Sequence, residues 1–222
     1  MGMSKWMKAG IGLTAIGTAL GGAAYAQYRD SEEPAYQSVM EDKEFELRDY
    51  QPMIVAEVTH KGSRRRASGA SFRRLAAYIF AQDRPAGGER IAMTSPVVQE
   101  RVTKVDENER IAMTSPVVQE ATGSDQWRMR FVMPARFTME TLPQPPKDIT
   151  LTEVPARRMA TVRFNGNGND SDLAIMEAML LEWMREQDLT PIGDPEYAFY
   201  DAPMVPSPMR RNEVMIEVAA ED

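Results

Sequence analysis

The sequence predicts an α+β fold with a mainly antiparallel sheet, and three observations lead there. Strand-like and helix-like stretches follow one another as ββαββ, and that order then occurs a second time. No βαβ alternation of the kind that builds parallel sheets interrupts it. Either half alone would leave strand edges bare, whereas two pseudo-symmetric halves set edge to edge would cover them, as a barrel does.

Residues 1–26 read as a targeting segment. Lys5 and Lys8 precede an uncharged run, Ala9 to Ala26, that closes on Ala24-Tyr25-Ala26, a small-x-small pattern of the kind that precedes a signal-peptidase cut. The run holds Gly10, Gly12, Gly17, Gly21 and Gly22 and is short for a membrane span. A cleaved signal peptide, an uncleaved N-terminal anchor and a buried helix of the domain are the three readings. Either of the first two places the domain outside the cytoplasm: in a bacterial periplasm, or held at the inner membrane through residues 9–26. Cleavage after Ala26 removes two basic residues and no acidic one, leaving 24 against 33, net −9. Residues 27–42 are polar and aperiodic, a linker. The domain proper spans 43–218, and 219–222 is a tail.

Within the domain, Phe45 to Tyr50 and Met53 to Thr59 alternate as strands about a Gln51-Pro52 turn. A helix follows over about Ala67 to Gln82, with Phe72, Leu75, Ala76, Ile79 and Phe80 on one face. The twelve-residue stretch ERIAMTSPVVQE occurs at Glu89–Glu100 and again, letter for letter, at Glu109–Glu120. Both copies are β-prone, and an antiparallel ribbon is expected. Trp127 to Met133 is the fourth strand. The second half runs through strands at Ile149–Val154 and Arg158–Phe164. A helix capped by Asn169, Asp170 or Ser171 comes next, with Leu173, Met176, Met179, Leu180, Trp183 and Met184 as its core stripe. Strands at Tyr197–Tyr200 and Asn212–Val218 close it.

Composition narrows the chemistry. The chain of 222 residues contains no cysteine, which excludes disulfides, thiolate metal sites and a cysteine nucleophile. His60 is its one histidine, so zinc sites built from several histidines are excluded. With 26 basic against 33 acidic residues, nucleic-acid binding is disfavoured, because phosphate neutralisation dominates that affinity. Seventeen methionines serve as core filler or line an adaptable apolar groove. No phosphate loop, nucleophile elbow or metal-ligand spacing points to an enzyme.

Five stretches carry a resemblance. Tyr200 to Val214 (YDAPMVPSPMRRNEV), Ile91 to Val97, Phe131-Val132-Met133-Pro134 and Phe45-Glu46-Leu47-Arg48, with Phe164-Asn165-Gly166 between them, resemble the SOUL haem-binding family in order and spacing across residues 43–218. The resemblance implies a twisted antiparallel β-barrel of two pseudo-repeats flanked by two helices. It also implies non-covalent binding of haem or another porphyrin in a shallow apolar groove beside the first helix. Family haem contacts fall on that helix and on the loop before the last strand, which here means Phe72, Leu75, Ala76 and Ile79, with Met204 and Val205.

The residues themselves add three expectations. Arg64, Arg65 and Arg66 stand just before the first helix, where they and the free amides of the helix start could hold a ligand carboxylate. His60 could serve as an axial iron ligand or be a solvated residue at a strand end. Arg210-Arg211-Asn212-Glu213 is expected to be a structural network. The leading function is a tetrapyrrole carrier or buffer. The alternatives are a tetrapyrrole-modifying or haem-degrading enzyme, and a small-molecule-binding module without haem.

Overall fold

The computed structural model describes residues 31–102, 126–202 and 204–219. Nine strands are seen: β1 (Tyr36–Asp42), β2 (Phe45–Tyr50), β3 (Met53–Lys61), β4 (Val97–Arg101), β5 (Gln126–Val132), β6 (Thr150–Val154), β7 (Arg157–Asn165), β8 (Glu196–Phe199) and β9 (Arg211–Glu217). They form one curled sheet in the order β1-β2-β7-β9-β8-β4-β5-β3-β6, a half-barrel in which every pairing is antiparallel. Helices α1 (Arg64–Ile79) and α2 (Asp170–Glu186) complete an α+β fold.

Strand alternation builds the outer, helix-bearing face. Ala56 and Val58 of β3 and Met129 and Phe131 of β5 point to the same side and enclose Leu75, Tyr78 and Ile79 of α1. Leu47, Ala160, Val162, Val214 and Ile216 likewise enclose Leu173, Leu180, Trp183 and Met184 of α2. Each such fully buried side chain contributes about 1.5–3 kcal/mol. This burial, repeated along each stripe, fixes both helices to the sheet.

The helix ends differ in quality. At α2 the Asn169 side chain accepts from the amides of Ser171 and Asp172, both at 3.0 Å, and Asp172 reaches back to the Asn169 amide. This reciprocal cap satisfies donors that a helix start otherwise leaves free. At α1 the cap residue Ser63 makes no side-chain bond, and the first turn carries no acid.

Several expectations are revised. Residues 36–42 of the expected linker form β1, an edge strand paired with β2. Its sequence, YQSVMED, lacks the alternation of a half-buried strand because β1 is exposed on both faces. Helix α1 begins at Arg64, three residues early, so the arginines lie inside its first turn. It stops at Ile79, and Ala81 takes a positive φ of 57°. Of the first copy of the repeat, residues 89–96 are irregular and only the end belongs to β4. The second copy, and with it the expected ribbon, lies outside the described residues. Met179, expected in the core stripe of α2, is 39% exposed.

Candidate ligand-binding site

One flank of α1, at the margin of its contact with the sheet, carries Arg65, Gly69, Phe72 and Ala76 at helical spacing, with Phe80 at the C-cap. Phe72 is 39% exposed and Phe80 36%. The Phe72 ring meets the buried Phe131 ring edge-on, with centroids 5.4 Å apart at 63°. That contact fixes the orientation of an exposed aromatic. Its helical neighbours Gly69 and Ala76 are small, and a Cβ added at Gly69 would meet only the tip of Arg73, at 3.5 Å. A flat apolar body can therefore approach the helix closely here.

Sheet register gathers the loops beside this flank. Val97 at the start of β4 pairs with both Phe131 and Phe199. The approach to β4 and the loop leaving β8 therefore emerge at the end of the sheet where Phe72 rests on Phe131. The Ser95 hydroxyl donates to the Tyr200 carbonyl there, at 3.5 Å.

The site residues expected from the sequence are placed unequally. Leu75 and Ile79 are core residues beneath the helix, at 0% and 1% exposure, while Phe72 and the half-buried Ala76 reach the flank. Met204 is 74% exposed. Val205 is buried, its amide donating to Ala202 and its carbonyl accepting from Arg210 Nε at 2.7 Å. Arg64 is ion-paired with Asp170, donates to the Gly168 carbonyl at 2.9 Å and lies over the Phe199 ring. Arg65 and Arg66 are exposed. His60 is half-buried on the outer face of β3, its Nδ1 2.9 Å from the hydroxyl of the fully buried Ser71 on α1. It ties helix to strand, which a reading as a solvated strand-end residue misses.

The inner face of the sheet sets buried ion pairs beside an apolar cluster of Tyr50, Val98, Met159, Ala198, Tyr200 and Met215. Glu213 is fully buried and receives Arg48 through Nη1 and Nη2, at 2.8 and 3.2 Å. Tyr200 and Arg163 also donate to it, at 2.6 and 3.2 Å. Burial alone would raise the Glu213 carboxyl, but the hydrogen bonds and charge of Arg48 outweigh it and hold the group below the usual carboxylate range. Burial and the Glu213 charge push the Tyr200 phenol well up, and burial raises Tyr50 to about 12. A second set joins Arg157 to Glu196 at 2.5 and 2.9 Å, with Arg130 between Glu57, Glu100 and Glu196. Asn212 donates to the Gly166 carbonyl at 3.0 Å, closing the corner before α2. The expected network around residues 210–213 is therefore present, although the forked arginine is Arg48 from the opening strand. A cavity of about 500 Å³ near the β1–β2 turn is lined by Lys43, Glu46, Arg48 and Arg163 among others, and is polar.

Sequence similarity now fixes the family. The profile described as SOUL heme-binding protein matches residues 31–217. The chain belongs to the SOUL heme-binding protein family. Haem or tetrapyrrole binding is thus established for the family. A search of curated proteins found no match. Among solved structures, a hydrolase from Listeria innocua is similar at a TM-score of 0.52 and 11% identity, over 82% of this chain and 94% of that one. An uncharacterized conserved protein from Listeria innocua gives 0.53 and 13%, over 80% and 93%. The EcmrR C-terminal domain gives 0.53 and 14%, over 83% and 98%. At such identities these likenesses concern the fold alone. For the SOUL ligand, the flank of α1 fits the macrocycle: it offers an exposed aromatic with small neighbours. Among the described residues, no group of three or more His, Asp or Glu is set to hold a metal ion.

Proposed function

We propose that this protein binds haem or a related porphyrin non-covalently on the outer flank of α1, as a carrier or buffer. The observation that carries the proposal is the exposed Phe72, held on Phe131 and flanked by Gly69 and Ala76. Phe72, Ala76 and Phe80 meet the porphyrin face, Leu75 and Ile79 back them from the core, and Met204 closes over one edge as an adaptable apolar contact. Haem would bring iron chemistry to this surface. The protein's part is to hold the ring by apolar contact and shield one face from water.

The architecture reads as two pseudo-symmetric ββαββ halves. Exchanging β2 with β6, β3 with β7, β4 with β8 and β5 with β9 turns the order of those eight strands into its own reverse. The lysines and the uncharged run of residues 1–26 support delivery out of the cytoplasm, as a cleaved signal or a membrane anchor. No helix among the described residues is long and apolar enough to cross a membrane.

Titration of the protein with haemin, followed at the Soret band, tests the reading. Saturation at one equivalent without loss of pigment supports a carrier. Consumption of bound haem under reductant supports a haem-degrading enzyme. No spectral change, with binding of another apolar ligand, supports a module without haem.

A further inference from the structure

Two arginines among the described residues are buried, and they are treated oppositely. Arg48, 1% exposed, is neutralised by Glu213 and Glu46. Arg84, 6% exposed, has no ion pair among the described residues. Its neighbour Asp83 is committed to Arg74. Nη2 of Arg84 donates to the carbonyls of Ile79 and Glu89, which caps the end of α1. The guanidinium lies over the Tyr78 ring, 5.7 Å from its centroid, while Nε and Nη1 are buried with no hydrogen-bond partner. The helix-end carbonyls and the Tyr78 ring offset part of the charge, but two desolvated N–H groups remain without an acceptor, which is costly until one joins them.

The surroundings favour such an anion. Residues 85–90, which follow Arg84, are all exposed. Gly87 and Gly88 have φ of 64° and 102°, and a Cβ at Gly88 would lie 3.6 Å from Arg84 Nη1. The cover beside Nη1 is therefore backbone without a side chain, a segment that can shift at little steric cost. Arg84 also follows the C-terminal end of α1, four residues after the exposed Phe80 that caps it.

We infer that Arg84 is a receptor for a carboxylate, and that it turns the carboxylate edge of the bound porphyrin towards the C-terminal end of α1. The identity of the ligand rests on the function proposed above; the anion site does not. Porphyrin carboxylates would therefore meet Arg84 and not the arginines of the first turn, where Arg64 is already held by Asp170.

The test compares haemin with its dimethyl ester, which keeps ring and iron and lacks both charges. The wild-type protein is expected to bind haemin at least tenfold more tightly than the ester. R84M should bring that ratio near one while leaving ester affinity within threefold. R185A, a loss of one exposed cation on α2, should keep the wild-type ratio. A wild-type ratio near one overturns the inference whatever the variants do, and so does a collapse of the ratio in R65A/R66A with R84M unchanged. R84Q, whose amide can still cap α1, replaces R84M if the latter does not fold. If the wild type binds neither porphyrin, the proposed function fails, and the anion site is tested alone with sodium acetate against sodium chloride at equal ionic strength. A rise in Tm in acetate that R84M or R84Q abolishes upholds the site, and no rise overturns it.

Discussion

Phe72→Ala is the sharpest probe of the apolar flank. A phenylalanine side chain offers about 200 Å² of surface. With 39% of Phe72 exposed, about 80 Å² remains for a ligand to cover. At about 25 cal/mol per Å², covering it contributes about 2 kcal/mol. Since each 1.4 kcal/mol is a factor of ten, haemin affinity should fall about thirtyfold in the variant. Soret titration at equal protein concentrations measures this. Truncation also removes the edge contact with Phe131, at about 0.5–1.5 kcal/mol of folding stability, so thermal melts must accompany the titrations. Ile175 on α2 is more exposed, at 57%, and Ile175→Ala should leave affinity unchanged. Affinity of Phe72→Ala within threefold of wild type, in a protein that still melts cooperatively, would refute the placement of the ligand on this flank.

Three further outcomes follow from the geometry. Glu213→Gln strands the buried Arg48, with Glu46 as partial compensation, and should cost about 3 kcal/mol in denaturant unfolding. Because the folded Glu213 carboxyl is depressed, its contribution is present above about pH 4.3 and fades as the pH falls through the folded value. The acid limb of the stability curve should therefore flatten in the variant, and an unchanged limb would count against the pairing. Asn169→Ala removes the acceptor for two helix amides and should cost about 1 kcal/mol, read as a shift in denaturant midpoint at constant slope. His60→Ala should change haemin affinity by less than tenfold, yet cost about 1–2 kcal/mol of stability by leaving the Ser71 hydroxyl without its partner, and loss of haemin binding would instead make His60 the iron ligand.

How much of this was legible in the sequence depends on the range of the interaction involved. Helical spacing locates both helices within three residues, and the cap of α2 is narrowed to Asn169, Asp170 or Ser171 because capping is local; the structure selects Asn169. The outward-facing character of Phe72 was legible as part of an apolar stripe, but its separation from Leu75 and Ile79 was not. A stripe of that width has a centre and a margin, and only the sheet beneath decides which residue lies where. Edge strand β1 escaped notice because exposure on both faces erases alternation. The ionic inner face escaped for a different reason. Arg48, Arg130, Arg157 and Glu196 stand at alternate strand positions, the pattern of a solvated face. Their partners are supplied by other strands, as with Arg48 and Glu213, 165 residues apart. Arg84 gave no periodic signal at all, since a loop residue owes its burial to the segment that folds over it.

The two faces of the sheet also differ in what can undo them. The helix-bearing side is held by apolar contact, which weakens on cooling and in urea. The inner side adds paired charges to its apolar clusters, and acid removes those charges by protonating the glutamates, while they gain in relative weight as temperature rises. Acid strong enough to reach the depressed glutamates should thus slacken the inside of the half-barrel while the helices stay seated, and cold should loosen the helices over an inner ion pair still locked between Arg48 and Glu213. A ligand that lives on the outer flank is insulated from the first kind of stress and exposed to the second.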